Sequence, residues 1–159
     1  MQLRPATEQD LARIIPWVAT AEDCLLWAGP KVKFPMTVAS LSTEIAFADN
    51  NSFALAAGDD LVAFGQLLRR DNGLLHLARI LVDPARRGGG SGRQLCQGLI
   101  EVAVKRGTRG VSLFVYSDNQ GARRLYAGLG FEEIPGQSSA TVICMLKPLD
   151  QRQPVSADK

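Results

Sequence analysis

This sequence predicts an α/β fold of the α+β kind, a mixed sheet with helices on its faces, and three observations predict it. Strand-like stretches at 52–57, 61–69 and 74–82 follow one another, joined by Gly58-Asp59-Asp60 and Asp71-Asn72-Gly73, two turn signals. A strand-helix-strand unit comes next, at 74–82, 90–106 and 110–115. The 159 residues, 46% of them hydrophobic, suffice for one domain with a real core.

The elements fall in order. Leu3-Arg4-Pro5 reads as a first strand. Thr7 is placed to cap a helix whose apolar residues Leu11, Ile14, Ile15 and Val18 recur at helical spacing. Pro16 makes that helix irregular or ends it early. A short helix at 21–27 precedes a loop holding Gly29, Pro30 and Pro35, and another helix spans 39–48. After the three strands, Leu95, Leu99, Val102 and Ala103 mark the helix at 90–106. A strand at 110–115, a helix at 119–129 ended by Gly130, and strands at 131–134 and 141–146 close the chain. We read 1–149 as a single domain and 150–159 as a polar tail.

Composition excludes several functions. Cys24, Cys96 and Cys144 are scattered and odd in number, so neither a disulfide framework nor a CxxC metal pattern is available. That favours a reducing, cytoplasmic setting. His76 is the only histidine, so a zinc site and a Ser-His-Asp relay lack parts, and no metal is expected. We expect no signal peptide in Met1-Gln2-Leu3-Arg4-Pro5, and no apolar run reaches membrane-spanning length. Charge is concentrated. Residues 1–78 carry 6 basic and 9 acidic side chains, residues 79–124 carry 9 and 3, and residues 125–159 carry 3 and 4. The basic middle suits an anionic ligand. Read as a nucleic-acid surface it would need interleaved aromatics, and only Phe114, Tyr116 and Tyr126 offer themselves, so that reading ranks last.

The strongest local signal is a strand that runs into Arg86-Arg87-Gly88-Gly89-Gly90-Ser91-Gly92-Arg93 and then into a helix. Glycines let a ligand approach the backbone, and a helix N-terminus adds partial positive charge, so a pyrophosphate fits. A P-loop would need a lysine, and none lies between Lys33 and Lys105. A dinucleotide loop would need a third glycine where Arg93 or Leu95 stands, and an acidic residue where none occurs between Glu101 and Asp118. Arg-x-x-Gly-x-Gly is met by Arg87, Gly90 and Gly92.

With that loop stands a second block, Asn119-Gln120-Gly121-Ala122-Arg123-Arg124-Leu125-Tyr126-Ala127-Gly128-Leu129-Gly130-Phe131. Together the two blocks resemble the GNAT superfamily of N-acetyltransferases, closely over about 74–147 and loosely in the N-terminal half. The second block matches its Asn-x-x-Ala-x-x-Leu-Tyr-x-x-x-Gly-Phe signature at every key position. The resemblance implies a mostly antiparallel central sheet of six or seven strands, about four helices, and parallel strands that splay at the cofactor. It implies acetyl-CoA as co-substrate and direct transfer of the acetyl group to a primary amine of a small molecule or peptide. The loop of Arg87, Gly88, Gly89, Gly90, Ser91, Gly92 and Arg93 would hold the coenzyme A pyrophosphate. The backbones of Ile80, Leu81 and Val82 would pair with the pantetheine arm. Asn119 would cap its helix and meet the cofactor. Tyr126 would donate a proton to the departing thiolate. Many members form homodimers, and no interface is fixed by the sequence.

Members often place a glutamate base five residues before the asparagine, where this chain has Phe114. His76 and Arg79 lie near the expected acceptor side. His76 is either a base or structural. Arg79 either binds an acceptor carboxylate or pairs with an internal acid. The missing glutamate favours an α-amine over a lysine side chain, because the former is partly neutral at pH 7. Trp27 and Phe34, in a loop similar to that of bacterial members, would wall an acceptor pocket or merely pin the loop, with Asp23 or Glu44 drawing an amine. The rival reading from another class is a non-catalytic coenzyme A sensor, favoured by Phe114 and opposed by Tyr126. Membrane partners are not expected.

Overall fold

Thr7 fixes where the first helix begins. It accepts a hydrogen bond from the Asp10 amide, and the Asp10 carboxylate takes the Thr7 amide in return. The computed structural model to which these contacts belong describes residues 1–150. The expected tail at 150–159 therefore lies, from 151 on, outside the described residues. The elements are β1 (Gln2–Pro5), α1 (Glu8–Ile14), α2 (Ala21–Ala28), α3 (Val38–Glu44), β2 (Ser52–Ala57), β3 (Asp60–Arg69), β4 (Leu75–Val82), α4 (Ser91–Lys105), β5 (Gly110–Tyr116), α5 (Gln120–Gly128), β6 (Glu132–Glu133) and β7 (Val142–Pro148). The strands form one seven-stranded sheet in the order β1-β2-β3-β4-β5-β7-β6. It is mixed and mostly antiparallel, with β4 and β5 as the parallel pair.

The chain groups into two compact units, Met1–Gln66 with Ala78–Leu95, and Leu67–Leu77 with the residues from Cys96 on. In the first unit, α1, α2 and α3 supply Leu11, Ile14, Cys24 and Leu41 to a core that also holds Ile45, Phe64 and Leu81. Full burial of a Leu or Ile is worth about 1.5–3 kcal/mol, so this cluster is the main cohesion of that unit. Pro16 acts as expected. The α-helix ends at Ile14, and Ile15–Trp17 continues as a 3₁₀ turn. The helix expected over 39–48 is shorter, because Ala46 turns left-handed at φ 52°. Phe47 N–H then donates to Ser42 O at 2.9 Å and Ala46 N–H to Thr43 O at 3.1 Å, which closes the helix end.

In the second unit, β5 runs antiparallel to β7 from Gly110↔Pro148 to Tyr116↔Val142. The parallel register runs from Leu75↔Val111 to Leu77↔Leu113. Val111, Leu113, Tyr126, Phe131 and Met145 are buried there. No helix among the described residues is long and apolar enough to cross a membrane.

Candidate active site

In the first unit, β4 delivers the chain into the glycine loop through a 3₁₀ turn at Pro84–Arg86. Asp83 caps that turn by accepting from the Ala85 amide at 2.9 Å. Arg86 is tied down by Asp60 at 3.2 Å and Asp83 at 3.9 Å, so its charge is already spoken for. Arg87 leans back to Val82 O at 3.4 Å, whereas Arg93 is exposed without an ion pair among the described residues. Gly88 and Gly90 both adopt left-handed backbone, at φ 85° and 84°, with no atom within 4 Å of where a Cβ would stand. The loop is thus shaped by backbone conformation and open above, which suits close approach of a ligand. Gln94 N–H reaches Gly90 O at 3.0 Å. The amides of Ser91, Gly92 and Arg93 precede it in the first turn of α4, where no intrahelical carbonyl is in reach. Gly92 packs its α-carbon toward Val82, whose Cγ2 would stand 3.5 Å from an added Cβ. Glycines, free amides and the positive end of a 15-residue helix fit a pyrophosphate.

Arg79, inside β4, is itself left-handed at φ 53°. For a residue with a Cβ this costs about 1–2 kcal/mol and breaks the alternation of side chains along the strand. Ile80 and Val82 are half-buried, and Leu81 is buried in the core. The Arg79 guanidinium donates from Nη1 to Gln66 Oε1 at 2.7 Å. Gln66 is wholly buried, and its Nε2 donates to Ile45 O and Ser52 Oγ, both at 3.0 Å. Those two acceptors fix which end of the amide faces Arg79. Trp27 stands edge-on to Phe64, with ring centroids 6.5 Å apart. Phe34 remains 39% exposed and stays outside that core. Glu44 accepts the Lys33 amide at 3.1 Å.

In the second unit, Asn119 caps α5 by accepting from the Ala122 amide at 3.1 Å. Tyr126 lies seven residues on, about two turns along the same face. It is 9% exposed, and its hydroxyl has no hydrogen-bond partner among the described residues. Burial, and after it the neighbouring Cys96, push the Tyr126 phenol above its ordinary range. Cys96 is fully buried, and burial raises its thiol to about 12, so it holds its proton at neutral pH. His76 is 5% exposed, with Nδ1 2.7 Å from Ser112 Oγ and its ring 4.7 Å from that of Phe114. Phe114 is half-exposed, with the Arg70 guanidinium over its ring at 5.4 Å.

Two features escaped the sequence reading. The Arg79-Gln66-Ser52 chain depends on a left-handed arginine, which no residue pattern announces. Arg123 holds Glu133 at 2.8 Å and Ser117 O at 2.7 Å, and so ties the start of α5 to the strands on either side of it.

Comparison with known proteins adds three findings. The model of the acetyltransferase (GNAT) family matches residues 18–131. The chain is 39% identical over 92 residues to N-alpha-acetyltransferase 40 of Saccharomyces cerevisiae, and 38% identical over 84 residues to mycothiol acetyltransferase of Actinosynnema mirum. The matches take in 54% and 53% of this chain but only 32% and 28% of those proteins, so the chain spans about a third of the curated relatives it matches. Among solved structures, ribosomal-protein-alanine N-acetyltransferase from Brucella melitensis superposes with TM-score 0.73 at 22% identity, over 94% of this chain and 100% of that one. PaiA N-acetyltransferase from Thermoplasma acidophilum, in complex with coenzyme A, gives TM-score 0.67 at 16% identity, over 93% and 98%. At those identities the likeness is one of fold.

Proposed function

The chain belongs to the acetyltransferase (GNAT) family, and on that premise we propose that it transfers an acetyl group from acetyl-CoA to the primary amine of a small molecule or peptide. The observation that carries this reading is the glycine loop at the head of α4, with left-handed Gly88 and Gly90 and first-turn amides free to meet a pyrophosphate. Acetyl-CoA supplies the acyl group already activated as a thioester. Arg87, Gly88, Gly89, Gly90, Ser91, Gly92 and Arg93 hold its phosphates, and Asn119 touches the cofactor while capping α5. The backbones of Ile80, Leu81 and Val82 align the pantetheine arm as an added strand.

Tyr126 is the proton donor to the leaving thiolate. Its phenol is unshared and kept protonated by burial. That suits a weak acid used only when a basic sulfur departs. Cys96, buried and protonated, leaves transfer direct, without an acyl-enzyme. His76, sealed against Ser112 and Phe114, serves the packing of the second unit in this reading. Alignment of the two reactants supplies much of the acceleration.

The test is release of coenzyme A thiol from acetyl-CoA over a panel of amines, amino acids, peptides, polyamines and aminoglycosides. The reading expects at least one acceptor to turn over. Tight acetyl-CoA binding with no acceptor turned over would favour a coenzyme A sensor instead.

A further inference from the structure

Three facts in the first unit converge on one side chain. The Arg79 guanidinium is half-buried, yet no carboxylate among the described residues pairs with it. Its single protein partner is the neutral Gln66, already fixed by Ile45 and Ser52. Its Nε is sealed from solvent without any partner, and the Trp27 indole Nε1 is in the same condition. Trp27 stands edge-on to Phe64 while Arg79 bonds Gln66, and positions 64 and 66 of β3 share one face of the sheet. Two orphaned donors, one of them cationic, therefore sit over one strand.

Leaving a buried charge and buried donors uncompensated is costly, because each has given up its water without a protein partner in exchange. Burial lowers the Arg79 pKa, and no counter-charge offsets that. The left-handed backbone adds strain at the same residue. A protein that keeps all three has a use for the positive charge.

We propose that Arg79, assisted by the Trp27 indole N–H, anchors a carboxylate of the acceptor, so that the acceptor class is a free amino acid rather than a simple amine or polyamine. This rests on the acetyl-transfer reading above. A guanidinium meets a carboxylate with charge-assisted hydrogen bonds, and with Nη1 given to Gln66 it is the Nη2 end that is left to meet one. The pyrophosphate has its own cradle in the glycine loop, which leaves Arg79 for a different anion. Arg79 precedes Ile80 directly, one strand step of about 3.3 Å from the backbone assigned to pantetheine. A carboxylate held there leaves room for the short spacer to an amino group that an amino acid provides.

The experiment compares the 20 L-amino acids with their carboxamides in the thiol-release assay, using wild type, Arg79→Gln, Arg79→Lys and Trp27→Phe. Calorimetry with acetyl-CoA and a melting curve accompany each protein. We expect at least one amino acid to exceed its carboxamide by about tenfold in kcat/KM, one strong interaction's worth. Arg79→Gln abolishes that ratio through KM, Arg79→Lys restores part of it, and Trp27→Phe weakens it several-fold with the fold intact. Acetyl-CoA affinity stays within about twofold throughout. The inference is overturned if carboxamides match their acids, if Arg79→Gln keeps the ratio, or if acetyl-CoA binds but no amino acid is acetylated. It is also overturned if Arg79→Gln weakens acetyl-CoA itself, which would assign Arg79 to a cofactor phosphate. If wild type fails to bind acetyl-CoA, the acetyl-transfer reading falls first and takes this inference with it.

Discussion

The Tyr126 ring stands edge-on to Phe131 with centroids 5.9 Å apart and planes at 69°. That contact holds the ring by its edge and leaves the hydroxyl unshared. Tyr126→Phe preserves the packing and deletes only the hydroxyl. We expect kcat to fall about 100-fold, in the range for loss of a general acid, while acetyl-CoA affinity stays within about twofold. Steady-state kinetics beside calorimetry measures both.

The raised Tyr126 pKa has a direction in pH. As the proposed proton donor the phenol would act when protonated, and its folded pKa lies above its ordinary one, so it stays loaded until the pH exceeds about 10. The wild-type kcat profile is therefore expected to show no alkaline fall between about pH 7 and 9.5. A fall centred near pH 8 and absent from Tyr126→Phe would contradict this.

Asp10 ties β1 to α1 through a two-point contact with Arg4, at 2.7 and 3.0 Å, and through the capping box. Burial by itself would raise its carboxyl pKa, and the bonds from Arg4 and Thr7 outweigh that and lower it. A lowered folded pKa contributes stability above the unfolded value of about 3.9, and that contribution is lost as pH falls through the folded value. The Arg4 side chain is 37% exposed, so screening limits the pair. Asp10→Asn is expected to cost about 1–2 kcal/mol at pH 7, mostly as cap and hydrogen bonds. Thermal melts should show the gap to wild type narrowing below about pH 4.

Gln66→Leu keeps the volume of a wholly buried side chain and strands Arg79 Nη1, Ile45 O and a Ser52 bond at once. We expect a loss of about 3 kcal/mol, or roughly 6–12 °C in Tm. Calorimetric melting measures it, and a change under 1 °C would contradict the account of this network.

The sheet and the order of its elements were legible because turn signals, strand runs and helical spacing agreed with one another. Thr7 and Asn119 were readable as caps for the same local reason. Ala46 and Arg79 were not readable, since each takes a left-handed backbone that sequence assigns to glycine. Arg86 stands in sequence as one more basic residue beside the glycines, and only the fold reveals its ion pair with Asp60. Local chemistry shows in sequence, whereas partners brought from 13 or 26 residues away do not.

The most direct test of the central claim is a calorimetric titration of acetyl-CoA into wild type and Gly90→Ala. An alanine has open space at Gly90 but must adopt φ 84°, at about 1–2 kcal/mol. The account predicts one site per chain, with affinity about tenfold weaker in Gly90→Ala. No binding heat with wild type, or equal affinity in the variant at equal melting temperature, would contradict the assignment of this loop to coenzyme A.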